Sequence, residues 1–435
     1  SGISQAPSPV TTATPNPRSR RSRSARPTAR AAVENPSPSC SHPAPREPIE
    51  ATAQLLAQLC EALAADYDVT VVTGCLHGYE RPSAEVRNGV RIVRVRSTAY
   101  DRAQLHLRAA NYASYLGDTV LTALRGERPD LVLCMTDPPV VGDIGLVVAR
   151  RFGAALLVIS QDVFPEIAER VKRLEQPLLL GALRRLVALY LRRADRVVAI
   201  GDTMKLRLVS KGAPAERIEV IPNWVDTSEL VPQPRHNDWS RTQGLDGSFV
   251  VMHSGNIGHA QDLDALVRAA TFLRDLERLQ IVLIGGGARH AELQQLTERL
   301  EVGETVRFLG YQPRSRLSLS LAAADLHFVG LARGLSGFVV PSRVYGILAV
   351  GRPVLVSADA ESETVKLVQE AGCGVVVPPG RPELVAGVIR DVMEGRRSLD
   401  GLGEAGRAWV EREADREVAF ARYRRLVADV VSSSR

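Results

Sequence analysis

The chain has 435 residues with 55 basic and 49 acidic side chains, a formal balance of +6 that is unevenly placed. Residues 1–33 hold six arginines (Arg18, Arg20, Arg21, Arg23, Arg26 and Arg30) and no acid, so residues 34–435 carry 49 charges of each sign. That neutral body lacks the basic excess of a nucleic-acid-binding domain, and at 45% apolar it has the composition of globular protein long enough for about two to three domains.

Residues 1–48 are rich in Ser, Pro, Thr, Ala and Arg, with almost no large apolar side chains, and read as a disordered basic leader. No apolar stretch follows its arginines, as a secretory signal would require. Its functional readings are a targeting sequence or an electrostatic tail; the plainer one is a solvated tail without a role. From Ile49 the pattern changes. Leu55, Leu56, Leu59, Cys60 and Leu63 form a stripe at helical spacing. Strands are expected at 68–74 (DVTVVTG), 91–96 (RIVRVR), 130–135, 154–160, 196–200 and 217–221, with helical segments between most of them. Residues 178–193 (LLLGALRRLVALYLRR) read either as a core-packing helix or as an amphipathic surface helix touching a membrane leaflet. After a polar, weakly ordered stretch at 231–247 the rhythm restarts, with strands expected at 248–254, 279–284, 305–309, 325–329, 353–357 and 374–377.

This alternation predicts an α/β chain with two Rossmann-like, doubly wound parallel-sheet halves and a ligand cleft between them. One element is absent from the expected plan. The segment before the first helix, ENPSPSCSHPAPREP at 34–48, holds five prolines and cannot form a central strand, so the opening strand is expected to be missing or replaced. Five scattered cysteines (Cys40, Cys60, Cys75, Cys134 and Cys373) read as reduced thiols and point to a cytoplasmic compartment. The dispersed histidines show no metal-ligand spacing. No apolar run reaches the ~18 residues that span a bilayer.

Two glycine turns follow strands in the second half: Ser254-Gly255-Asn256-Ile257-Gly258 and Gly285-Gly286-Gly287. Glycine admits close backbone approach, and N–H groups at a helix start favour an anion such as a diphosphate. Each turn alone is equally well read as ordinary strand-to-helix chemistry. Arg343, in Pro341-Ser342-Arg343, is placed at a helix start, where a guanidinium can clamp a diphosphate or simply lie solvated on the surface. Asp262 and Asp264 resemble a metal-binding Asp-x-Asp, but at a helix start they read more simply as caps. Asp162 and Glu166, in Gln161-Asp162-Val163-Phe164-Pro165-Glu166, close the strand at 154–160. Two carboxylates there can serve acceptor binding or base catalysis, or merely punctuate a loop.

The segments TDPPVVGD (136–143), QDVFPE (161–166), IPNWVD (221–226), SGNIGHAQDLD (254–264), IGGGAR (284–289), PSRVYGILAVGRPVL (341–355) and EAGCGVVVPPG (370–380) occur in an order that resembles bacterial family 4 (group 1) glycosyltransferases, particularly those that build cell-surface polysaccharide. The resemblance runs from about residue 49 to about residue 395. It implies the GT-B fold, with 49–230 plus 418–435 as the acceptor-side domain and 231–417 as the nucleotide-sugar-binding domain. It implies retaining sugar transfer from a nucleotide-diphosphate donor, uridine-linked by preference, to a lipid-linked or glycan acceptor. A cytoplasmic place at the inner membrane face follows, with no metal or other cofactor. By position, Gly255, Asn256 and Gly258 would line the donor diphosphate, with Gly286 and Gly287 near the nucleotide. Arg343 would take the place of a usual lysine and act with Asp162 on the reactive side. Asn223 and Asp226 would lie at the interdomain hinge.

The chain also departs from the family pattern. Phe338 and Gly346 occupy the places of two glutamates that hold sugar and ribose. Asn256 and Gln261 replace the usual arginine and lysine of the first phosphate loop. These departures keep two alternatives open: a nucleotide-sugar epimerase of the same fold, and a non-catalytic relative that binds nucleotide or a partner protein. Nucleic-acid binding through the leader would show as salt-dependent affinity lost on removing residues 1–33.

Overall fold

The computed structural model describes residues 28–31, 51–74, 84–95, 116–136, 140–171 and 174–433. The first half forms an eight-stranded sheet in the order β3-β4-β2-β1-β5-β6-β7-β8, and the second a six-stranded sheet in the order β11-β10-β9-β12-β13-β14. In the first sheet β2 is Asp68–Gly74, β4 Val90–Val95, β5 Leu131–Met135, β6 Ala155–Ser160, β7 Arg196–Ala199 and β8 Ile218–Val220. The short edge strand β3, Ala84–Arg87, pairs antiparallel with β4; every other ladder is parallel. The second sheet, wholly parallel, comprises β9 Phe249–Ser254, β10 Leu279–Ile284, β11 Val306–Leu309, β12 Leu326–Gly330, β13 Val354–Ser357 and β14 Gly374–Val377.

The opening strand is present, contrary to the expectation from the proline-rich segment. β1 is Thr28–Ala31, inside the basic leader, and it lies at the centre of the sheet between β2 and β5. The leader is therefore not disordered throughout. Parallel pairing is made by backbone N–H and C=O groups, so four residues without a hydrophobic run satisfy it. The proline-rich residues 34–48, on which the expectation rested, lie outside the described residues.

Side-chain alternation explains the layers. On β5, Val132 and Cys134 join the core against helices Val141–Phe152 and Pro177–Arg193. Leu131, Leu133 and Met135 face helices Ala51–Leu63 and Arg416–Ser433. On β13, Leu355 packs toward helices Leu263–Ala269 and Pro382–Met393, whereas Val354 and Val356 pack toward Arg343–Ala349 and Glu363–Ala371. Cys60, Cys134 and Cys373 are buried in these cores and form no disulfide; Cys40 and Cys75 lie outside the described residues.

The stretch at 231–247 is better ordered than its polarity suggests. Asn237 caps the short helix Asp238–Thr242 in a reciprocal capping box with Ser240, and Trp239 is buried. Its polar residues cap rather than solvate.

The chain crosses between the domains twice, and the crossings are tied together. Val225 N–H donates to the Ala414 carbonyl at 3.0 Å, and Arg416 N–H donates to the Val225 carbonyl at 2.9 Å. The final helix then returns to the first domain, where Phe420 and Tyr423 meet Trp224 edge to face with centroids 5.5 and 5.7 Å away.

Candidate active site

Loops at the carboxyl ends of both sheets meet at one seam, the position where open α/β sheets place ligands. Asp162, just beyond β6, bridges Val339, and Val163 N–H donates to the Phe338 carbonyl at 2.8 Å. Beyond β7, Thr203 donates its backbone N–H to the Glu363 carboxylate and its hydroxyl to the Glu361 carbonyl, the latter at 2.8 Å.

The two glycine loops of the second domain interlock. Ile257 N–H donates to the Gly286 carbonyl at 2.8 Å, and Gly255 N–H to the Ile284 carbonyl at 2.9 Å. A Cβ on Gly285, whose φ is +133°, would stand 1.9 Å from the Gly255 carbonyl oxygen. One on Gly287 would meet the Ile257 carbonyl at 2.4 Å and the Asn256 amide oxygen at 2.5 Å. These glycines are thus required by loop-on-loop packing whether or not a ligand is bound. Gly258 N–H is held by the Gln261 side chain at 2.9 Å. Tyr311 lays its half-exposed ring against Gly286 and donates its hydroxyl to the Gly286 carbonyl at 3.1 Å.

Arg343 opens the helix Arg343–Ala349 and closes this nest from the other side, 3.7 Å from the Cβ position of Gly255. Its guanidinium Nη1 lies 2.9 Å from each ring nitrogen of His253, the penultimate residue of β9. Burial pushes the guanidinium down to about 10. His253 is held well below its ordinary range, first by burial and then by the Arg343 charge. No carboxylate pairs with Arg343 among the described residues. The structure therefore brings Gly255, Asn256, Gly258, Gly286 and Gly287 into two interlocked loops, with Arg343 against Gly255 as a cation that has no carboxylate partner among the described residues. Such a group is stabilised by an arriving anion far more than an exposed arginine would be.

Other candidates are distributed differently. The Asp162 side chain is half-buried at the seam, while its carbonyl accepts from Ser160 and Thr136 at 3.2 and 3.4 Å. Glu166 is taken by Lys211, at 2.6 and 2.8 Å, and by Arg184, which makes it a structural ion pair rather than a second reactive carboxylate. Asn223 exchanges two amide hydrogen bonds with Gln161, at 2.8 and 3.0 Å. Asp226 pairs with Arg416 where the two crossings meet. The cap reading fails for Asp262. Its backbone is left-handed and its carboxylate accepts from the Ser357 hydroxyl and Gly380 N–H, both at 2.8 Å. Asp264 pairs with Arg289. No cluster able to hold a metal occurs among the described residues.

Two residues were not singled out from sequence, and a third was marked only by a departure from the family pattern. His253 falls inside a strand pattern with nothing to mark its neighbour. Asp143 leaves both carboxylate oxygens buried without a hydrogen-bond partner, and burial pushes it up to about 6; three residues of its TDPPVVGD segment, 137–139, lie outside the described residues. Phe338 is sandwiched by guanidinium groups of the first domain, Arg170 at 4.4 Å and Arg207 at 4.7 Å from its ring centroid. Only its place in the family pattern pointed to it.

Two facing α/β domains, with the glycine loops and Arg343 at the strand ends of the second, define a two-domain α/β architecture whose loops meet at one seam. The chain belongs to the glycosyltransferases: residues 51–224 match the glycosyl transferase 4-like domain and residues 236–409 the glycosyl transferases group 1 domain. It is similar to WbjE of Pseudomonas aeruginosa, named a probable glycosyltransferase, with 26% identity over 74% of this chain and 80% of that one. WcaI of Escherichia coli, named for colanic acid biosynthesis, is 29% identical over 52% of this chain and 55% of its own. The fold matches Anabaena HepE, solved in complex with UDP, at TM-score 0.71 and 14% identity over 92% of this chain and all of that one. The architecture is GT-B, and the chain is a glycosyltransferase.

Proposed function

We propose that this glycosyltransferase moves a sugar, with retention, from a uridine-diphosphate donor to a lipid-linked or glycan acceptor during cell-surface polysaccharide assembly. The observation that carries the reading is Arg343, a half-buried cation without a carboxylate partner among the described residues, facing the backbone of the Gly255 loop. A diphosphate supplies the missing charge. As the anomeric bond breaks, oxocarbenium-like charge builds on the sugar and negative charge on the departing diphosphate. Fixed positive groups aimed at that charge lower the barrier. Arg343 serves in that role with the Asn256 N–H, since Gly255, Ile257 and Gly258 already donate to Ile284, Gly286 and Gln261; Asp162 serves the reactive side, and Asn223 and Asp226 serve the hinge. With the diphosphate charge met by Arg343 and the loop, the reaction is read as needing no metal; full activity in EDTA is the check. HepE with UDP and the polysaccharide names of the relatives support the donor and pathway class.

The exposed face of helix Pro177–Arg193 supports contact with the inner membrane face, where a lipid-linked acceptor would reside. Leu178, Leu179, Leu186 and Leu189 are exposed beside Arg185, Arg192 and Arg193, and the helix holds no acid. No helix among the described residues is long and apolar enough to cross a membrane.

Thermal-shift titration with UDP-, GDP- and ADP-sugars tests the donor. Stabilisation by UDP-sugars above the others is expected, and stabilisation by none of them would sink the reading. NMR of the product's anomeric configuration tests retention. Flotation with vesicles containing phosphatidylglycerol tests the surface, because binding should fall when Leu178, Leu186 and Leu189 become serine.

A further inference from the structure

We propose that His253 is a positioning residue for donor binding: a neutral imidazole that seats the Arg343 guanidinium and ties it to the Gly255–Gly258 loop. The inference deepens the donor reading above and rests on it. His253 is fully buried at the end of β9, one residue before the loop begins. Its Nε2 lies 3.3 Å from the Asn256 carbonyl oxygen, which can only accept. Arg343 Nη1 lies 2.9 Å from both ring nitrogens, and in the neutral ring the nitrogen that lacks the proton accepts from it. The ring thus links the guanidinium to the backbone of Asn256, so the cation and the phosphate loop share one support.

The chemistry of the seat matters as much as its place. A carboxylate at this position would bond Arg343 more strongly, but it would cancel the charge meant for the donor. A neutral acceptor aligns the guanidinium and leaves its charge uncompensated. Protonation of the ring is opposed first by burial, then by Arg343 and the buried His327, and these outweigh the backbone hydrogen bonds at Asn256 and Phe328 that favour it. The imidazole therefore stays an acceptor under working conditions.

The test is calorimetric titration with UDP, with thermal unfolding recorded for each variant. His253→Ala should weaken UDP binding at least ~10-fold, the loss expected for one hydrogen bond to a charged group. His253→Asn keeps both an acceptor and a donor and should stay within about 3-fold of wild type. His253→Asp should bind UDP more weakly than His253→Asn, although it holds the arginine tighter, because it neutralises the seat. In an Arg343→Met background, His253→Ala should cost nothing further, as expected for two residues acting as one unit. The inference is overturned if His253→Ala binds UDP like wild type, if its cost is the same with and without Arg343, or if the Asp variant binds as well as the Asn variant. If His253→Ala does not fold, the Asn and Asp comparison decides alone. Wild-type protein that ignores UDP overturns the donor reading and this inference together. Arg343→Met binding UDP normally removes the seat, while loss there with no effect at His253 overturns this inference alone.

Discussion

Replacing Arg343 with methionine removes the guanidinium while keeping most of the apolar stem, and it should move stability and ligand affinity in opposite directions. Burial holds Arg343 at about 10 rather than 12.5, so its charged form is disfavoured in the folded protein. The sign is that of a base whose folded pKa lies below its unfolded one. Below pH 10 the folded state bears the full cost of keeping it charged, and the cost disappears only as both states deprotonate above that range. At 1.36 kcal/mol per pKa unit the shift corresponds to ~3 kcal/mol. The contact with His253 is lost in the variant and the site is partly solvated, which leaves a net stabilisation of ~1–2 kcal/mol. For a domain of this size that raises the unfolding midpoint by roughly 2–8 °C. The same change leaves a bound diphosphate without its cation, at a cost of ~2–5 kcal/mol in affinity. Differential scanning calorimetry of the ligand-free protein and isothermal titration with UDP read the two effects separately. A variant that is destabilised and binds UDP normally would refute the argument, because Arg343 would then be a structural residue and not an anion seat.

Gly285→Ala should destabilise the second domain by ~3 kcal/mol or more, since its Cβ would stand 1.9 Å from the Gly255 carbonyl at a φ reserved for glycine; a midpoint within 1–2 °C of wild type, against the ~2–4 °C expected per kcal/mol, would contradict the interlocked loops. Asp143→Asn should stabilise by ~1–2 kcal/mol at pH 7–8 and by nothing near pH 4. The carboxyl is held at about 6 against 3.8, so the wild-type penalty grows between those values and is complete above them. Urea melts across pH check the sign, and a benefit independent of pH would disprove it. Asp162→Asn should cost turnover more than UDP affinity in a donor-hydrolysis or transfer assay; equal losses in both would argue against a reactive role.

Much of the fold is legible before any coordinates. Runs such as DVTVVTG and LQIVLI are strands because parallel sheets covered on both faces need continuous apolar segments, and they fall at Asp68–Gly74 and Leu279–Ile284. The glycine turns and Arg343 are legible through residue type, since positive φ and close approach single out glycine, and a guanidinium at a helix start suits a diphosphate. What local pattern cannot express is pairing at long range. β1 carries no hydrophobic signal, and its place at the sheet centre is decided by backbone partners about 40 and 100 residues away. Charge beside a residue is equally invisible. Glu166 looks reactive until Lys211 arrives from another helix, and Asp262 looks like a cap until Ser357 and Gly380 claim it.

Sequence alone determined the class of fold, the two-domain rhythm and the glycine turns of the second domain, because periodicity and residue type are local properties. Only the tertiary structure decided that Arg343 has no carboxylate partner among the described residues, that His253 lies against it, and that Phe338 joins the two domains across the seam. Those facts depend on desolvation and on neighbours, and both arise only when segments about 90 to 170 residues apart are brought into contact.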